Sequence, residues 1–121
     1  MKVILVTGGS GFIGSNLIRH ILKNYDFRVI NVDSLTYAGN LDSTLDFKDN
    51  SRYIFEKCDI CDDNKIKTIF EKYNPNIIMH LAAESHVDRS IDNPKKFLET
   101  NILGTYSLLN RSYIYYQELS C

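Results

Sequence analysis

Four glycines fall between Gly8 and Gly14, in the stretch Val6-Thr7-Gly8-Gly9-Ser10-Gly11-Phe12-Ile13-Gly14, directly after an apolar run. A backbone stripped of side chains at that density lets another group come very close to it. The spacing reads both as Gly9-x-Gly11-x-x-Gly14 and as Gly8-x-x-Gly11-x-x-Gly14. The early glycines permit a tight turn, Gly11 admits a pyrophosphate, and Gly14 lets a helix pack on a strand. With a strand before the turn and a helix after it, the helix offers unpaired N–H groups and the positive end of its dipole. That is a phosphate site. Asp33 ends the run Arg-Val-Ile-Asn-Val-Asp, nineteen residues past Gly14. Its carboxylate is placed to accept the hydroxyls of an adenosine ribose, and a 2′-phosphate there would meet a like charge, which favours NAD.

Other constellations carry less. Cys58-Asp59-Ile60-Cys61 has redox or zinc spacing, yet no second pair follows and Cys121 is remote; ordinary loop thiols are expected. Ser85, His86 and Asp88 have the residue types of a hydrolase triad, but groups so close along one segment do not readily form the relay. His80 sits in an apolar run and is expected to be a hydrogen-bonded core histidine. Tyr106, Tyr113, Tyr115 and Tyr116, with Leu108 and Leu109, are expected to form a helix's packing face.

The elements that must position these residues are legible from period. Residues 2–6, 27–33 and 76–82 are continuous apolar runs of the kind found in strands buried on both faces, and 52–59 is a weaker, more alternating one. Helical spacing joins Phe12, Ile13, Leu17, Ile18, Ile21 and Leu22, and again Ile66, Ile69 and Phe70. Pro75 precedes a strand and Pro94 marks a helix start. Alternating strands and helices predict an α/β fold of Rossmann type: an open parallel sheet, helices on both faces, strand order 3-2-1-4. The 121 residues form one domain with a sizeable core, small for a complete two-substrate enzyme. A net charge of −1 gives no footprint for nucleic acid or a membrane surface. The first residues lack the makings of a signal peptide, no transmembrane-length run follows, and three cysteines fit a reducing cytoplasm.

Five segments in order, residues 7–14, 32–41, 58–62, 80–91 and 97–109, resemble the N-terminal part of the dTDP-glucose 4,6-dehydratases, extended short-chain dehydrogenases/reductases. The most specific are Leu-Thr-Tyr-Ala-Gly-Asn-Leu (35–41) and Ala-Ala-Glu-Ser-His-Val-Asp-Arg-Ser-Ile (82–91). The resemblance implies that Gly8, Gly11, Phe12, Ile13 and Gly14 lie along the pyrophosphate. It places Asp33, Ser34, Leu35 and Thr36 at the adenosine ribose and Asp59 and Ile60 beside the adenine. Leu81, Ala82, Ala83 and Ser85 would line the cofactor, Ser85 would also reach the nucleotide sugar, and Thr100 would contact the nicotinamide half.

The resemblance also implies a reaction: oxidation of the sugar at C4 with NAD as hydride acceptor, loss of water across C5 and C6, and return of the hydride to C6. The family's base is a Tyr-x-x-x-Lys pair on a helix, with an Asp-Glu pair for the elimination. Here the one such spacing is Tyr53 to Lys57, inside an expected strand, where four residues span about 13 Å. No Thr-Asp-Glu segment occurs. No catalytic residue or metal ligand is therefore assigned; residues 1–121 read as an NAD-binding half-domain, with the fifth-strand region and the substrate domain outside them. Its fourth strand is expected to be an open edge, leaving a homodimer or a separate chain carrying the other half as partners. A non-catalytic NAD-binding or interaction module, and a remnant of a UDP-sugar epimerase or dehydratase, are the alternatives.

Overall fold

The apolar runs become four parallel strands because each is flanked by crossovers long enough to return the chain in the same direction. The computed structural model describes residues 1–34, 41–82, 95 and 99–119. Strands β1 (Val3–Thr7), β2 (Arg28–Asp33), β3 (Tyr53–Lys57) and β4 (Ile77–His80) form one sheet in the order β3-β2-β1-β4. Helix α1 (Phe12–Asn24) joins β1 to β2, and α2 (Asp63–Tyr73) joins β3 to β4. A π-helical turn over Glu99–Gly104 leads into α3 (Thr105–Leu119). The strand order and helix placement agree with the periodic reading, with ends shifted by a residue or two. The expected helix start at Pro94 lies outside the described residues.

Side-chain alternation along the strands builds two cores. Ile4, Val6 and Val29 point to one face, where Ile18, Ile21 and Leu22 of α1 cover them. Leu5, Ile30 and Val32 point to the other, against Ile66, Ile69 and Phe70 of α2 and Leu108 of α3. Each fully buried aliphatic side chain contributes roughly 1.5–3 kcal/mol. Cys58 follows β3 in the connection to α2, as the loop-thiol reading expects, but its side chain is buried in the second core, and burial pushes its thiol up to about 11.

Helix ends are closed locally. Asp62 accepts from the Lys65 amide at 3.2 Å to cap α2, and Asn74, at φ 49°, ends it with a left-handed residue. Arg52 donates to the carbonyls of Leu22 and Tyr25, each at 2.7 Å, capping the C-terminal end of α1. Arg111 grips Asp63 through two bonds of 3.1 and 2.6 Å, tying α3 to the start of α2.

The tyrosine-rich helix departs from expectation. Tyr115 packs edge-on to Phe70 and donates to the Pro75 carbonyl, but Tyr106, Leu109 and Tyr113 are exposed. The helix carries apolar residues on two adjoining sides, and Leu108 and Tyr115 rather than Tyr106, Leu109 and Tyr113 meet α2. Among the described residues no helix is long and apolar enough to cross a membrane.

Candidate functional site

The carboxyl ends of all four strands lie level: Thr7 stands opposite Val32 and His80, and Asp33 opposite Lys57. Above that row the turn from β1 to α1 begins at Gly8, whose N–H still donates to Val32 at 2.9 Å. Gly8 has φ +71°, and a Cβ on it would stand 2.7 Å from the Ala82 nitrogen. Only glycine satisfies both demands. A Cβ on Gly14 would stand 2.2 Å from the Gly8 carbonyl oxygen, so its absence lets α1 sit down on the turn. Gly11 is different. It caps α1 at φ −77°, ψ 178°, a conformation open to any residue and without a side-chain cap bond, so the backbone itself makes no demand for glycine there.

The first bond into α1 runs from the Ser15 amide to the Gly11 carbonyl. Among the described residues the amides of Phe12, Ile13 and Gly14 have no acceptor, and no acidic side chain occupies the first turn. The helix start is thus an uncapped cluster of donors, with the exposed Phe12 and Ile13 beside it.

Ser10, buried beneath the turn, has every polar handle engaged. Its amide donates to Asp33 Oδ2 at 3.0 Å, its hydroxyl accepts from Asn31 Nδ2 at 3.1 Å, and its carbonyl accepts from the Ser43 hydroxyl at 2.6 Å. Asn31 Nδ2 also donates to the Tyr53 hydroxyl at 3.0 Å. The Asn31 amide fills the space a side chain on Gly9 would need, with Oδ1 2.3 Å from that Cβ position. Ser10 and Asn31 were not among the expected site residues. The signal was an asparagine in the middle of an otherwise apolar strand, and a buried amide requires partners. Through Ser43 the network reaches Arg19, which donates to the Ser43 carbonyl at 3.1 Å and pairs with Asp46 at 2.5 Å.

Asp33 is buried at the end of β2, as the sequence places it, and Ser34 follows it half-buried. Leu35, Thr36, Ala83 and Ser85 lie outside the described residues. Asp59 is exposed after β3 and its carboxylate accepts from the Cys61 amide at 2.9 Å. Ile60 is buried, with its side chain 2.8 Å from a Cβ position on Gly104; it supports the π-helical turn on which Thr100 stands. Leu81 and Ala82 follow β4 directly and press on Gly8. His80 is half-buried between the hydroxyls of Thr7 (2.6 Å) and Thr105 (2.9 Å), which fulfils the core-histidine expectation. Tyr53 and Lys57 lie at the two ends of β3, and burial raises the Tyr53 phenol, the opposite of what a base requires. Among the described residues no cluster of three or more His, Cys, Asp or Glu could hold a metal.

A family model described as GDP-mannose 4,6 dehydratase matches residues 5–119. The chain belongs to that family. Within it, the dTDP-glucose 4,6-dehydratase of Salmonella typhimurium is 58% identical over 116 residues, covering 96% of this chain and 32% of that protein. The dTDP-glucose 4,6-dehydratase of Streptomyces venezuelae, solved with NAD and TYD bound, superposes with a TM-score of 0.85 at 41% identity, over 91% of this chain and 35% of that one. A UDP-glucose 4-epimerase of Thermotoga maritima, solved with UDP-glucose, gives a TM-score of 0.82 at 35% identity, over 93% and 34%. The chain spans about a third of the length of the curated relatives it matches.

Backbone similarity alone does not separate dehydratase from epimerase in this family, because both TM-scores are high. The residues do fit a dinucleotide: a cluster of uncapped amides follows Gly11 at the start of α1, and a buried carboxylate stands at the end of the neighbouring strand.

Proposed function

We propose that residues 1–121 are the NAD-binding portion of a dTDP-glucose 4,6-dehydratase, a lyase of nucleotide-sugar metabolism working in the cytoplasm. The observation that carries the nucleotide half of this reading is the set of unpartnered Phe12, Ile13 and Gly14 amides in a helix start without acidic residues. Those amides hold the pyrophosphate, and Asp33, fixed through Ser10, accepts the ribose hydroxyls. The choice of sugar nucleotide rests on the curated dehydratases at 53–59% identity. NAD supplies a hydride acceptor when bound. Leu81, Ala82 and Ala83 line its pocket, and Ser85 and Thr100 orient the nicotinamide and the sugar. The dehydratase base and elimination pair are assigned to no residue of this chain, so conversion of dTDP-glucose requires the rest of the protein, from a continuation or a partner chain. A non-catalytic NAD-binding module is the second reading, favoured by the exposed apolar side of α3.

Calorimetric titration with NAD and NADP tests the proposal. NAD binds more tightly, by roughly five- to 150-fold, the worth of lost charge-assisted hydrogen bonds, and Asp33→Ala erodes the preference. Gly11→Val, whose backbone any residue adopts, keeps the fold and abolishes binding. Equal affinity for NADP, or a folded Gly11→Val with undiminished affinity, overturns it. Incubation with dTDP-glucose and NAD yields no 4-keto product from the chain alone; clear turnover returns the search for a base to Glu84 and His86.

A further inference from the structure

We infer that His80 is a positioning residue for the dinucleotide site, acting as a neutral imidazole protonated on Nε2 that fixes the Leu81–Ala82 backbone through Thr7 and the start of α3 through Thr105. The inference takes its ligand from the NAD reading above.

Donor counting sets the tautomer. The Thr7 hydroxyl, fully buried at the end of β1, accepts from the amides of Leu81 at 3.0 Å and Ala82 at 3.1 Å. A hydroxyl has two lone pairs and one proton. With both lone pairs engaged, the proton goes to His80 Nδ1, 2.6 Å away. Nδ1 is therefore the acceptor, and Nε2–H donates to the Thr105 hydroxyl at 2.9 Å. Thr105 is the first residue of α3, immediately after the π-helical turn that carries Thr100. One ring thus joins the ends of β1 and β4 to the segment assigned to the nicotinamide half.

The arrangement tolerates only the neutral ring. A proton on Nδ1 would face an oxygen whose lone pairs are already used; admitting it would displace the Ala82 amide, or push the Leu81 amide, which is shared with the Thr7 carbonyl at 3.1 Å, wholly onto that carbonyl. Those amides set the turn that lies against Gly8, where the Ala82 nitrogen stands 2.7 Å from a Cβ position. Among the described residues, the groups facing the ring from the packed elements are the Thr7 hydroxyl of β1 and the Thr105 hydroxyl of α3. Burial is the cause that lowers its pKa, and no charged group of the described residues contributes. Acid thus loosens the turn under the cofactor, and the dinucleotide affinity falls with it.

The test combines NAD titration with imidazole and amide NMR of the full chain. Wild-type affinity falls roughly tenfold from about pH 7.5 to about pH 5, a span in which histidine titrates and carboxylates stay charged. His80→Phe, with neither ring bond, binds roughly tenfold more weakly at neutral pH and loses the step. His80→Asn offers an oxygen where Nδ1 stood, so it recovers most of the affinity and is independent of pH. His86 lies outside the described residues, and a step persisting in His80→Asn would belong to a group other than His80 and overturn the inference. Wild-type affinity in His80→Phe at neutral pH overturns it too; if that variant does not fold, His80→Asn and the wild-type titration decide. In the free chain the ring shows the Nε2–H tautomer, and the Leu81 and Ala82 amide shifts follow its titration. Amides that ignore the ring overturn the positioning role. Amides that follow it in a wild-type chain that binds no NAD uphold the positioning of the turn and overturn the NAD reading instead.

Discussion

On the α1 side of the sheet, the turn after β1 is closed by the chain's own groups: Ser10 is bonded through its amide, hydroxyl and carbonyl, and Gly9 leaves its side-chain space to Asn31. Beyond β4 the surface has another character. Ile102, Tyr106, Leu109, Tyr113 and Tyr116 recur at helical spacing with Leu103 beside them, and all but Tyr116 are more than half exposed. A soluble domain seldom leaves an apolar stripe of that length to water. The contrast teaches that the turn proposed to hold the nucleotide is braced by the chain's own groups, whereas the β4–α3 side presents an apolar face to solvent.

The largest expected effect breaks the closed side. Gly14→Val places a branched side chain against the Gly8 carbonyl, where even a Cβ would stand at 2.2 Å. A loss of about 3 kcal/mol or more is expected in urea unfolding, and a wild-type midpoint would mean that α1 does not rest on the turn. Asn31→Leu is next. It leaves the Ser10 hydroxyl without its donor in a buried site, at a cost of about 1–3 kcal/mol. Because Ser10 also holds Asp33, NAD affinity should fall in parallel; unchanged affinity would uncouple the network from the nucleotide.

Acid sharpens the comparison from the other side. Burial lowers the folded-state pKa of His80 below its ordinary 6.5, so the unfolded chain takes up the proton first. The stabilisation is fully present above about pH 6.5 and drains away as pH falls through the folded value. Thermal melts across that range should show the loss in wild type and not in His80→Asn. The smallest effect on stability belongs to the exposed stripe: Leu109→Lys with Tyr113→Lys should change unfolding by no more than about 0.5 kcal/mol each. Sedimentation should at the same time show weaker self-association at high concentration. Loss of the folded monomer in these variants would mean that the stripe packs within the chain.

Much of the site was legible because its causes are local. Glycine spacing, the strand before it and the helix after it dictate a turn with open amides, and a terminal aspartate on the next strand follows from the same unit. Tyr53 and Lys57 lie in a strand, as their context predicts, and a strand separates residues that a helix would bring together. The tyrosine-rich segment was read as one packing face, whereas Leu108 and Tyr115 pack and Tyr106, Leu109 and Tyr113 lie on an adjoining side exposed to solvent.

By itself the sequence determined the parallel α/β architecture, the order of its strands, the glycine turn at Gly8 to Gly14 and the carboxylate at Asp33, for these depend on period, sterics and short-range geometry. The tertiary structure decided the partners of Asn31, the burial of Ser10, the tautomer of His80 and the face by which α3 docks. Those rest on contacts between residues far apart in the chain, such as Thr7 with His80 across 73 positions. A buried polar group's partner is set by which strands and helices pack together, and no local rule of spacing records that choice.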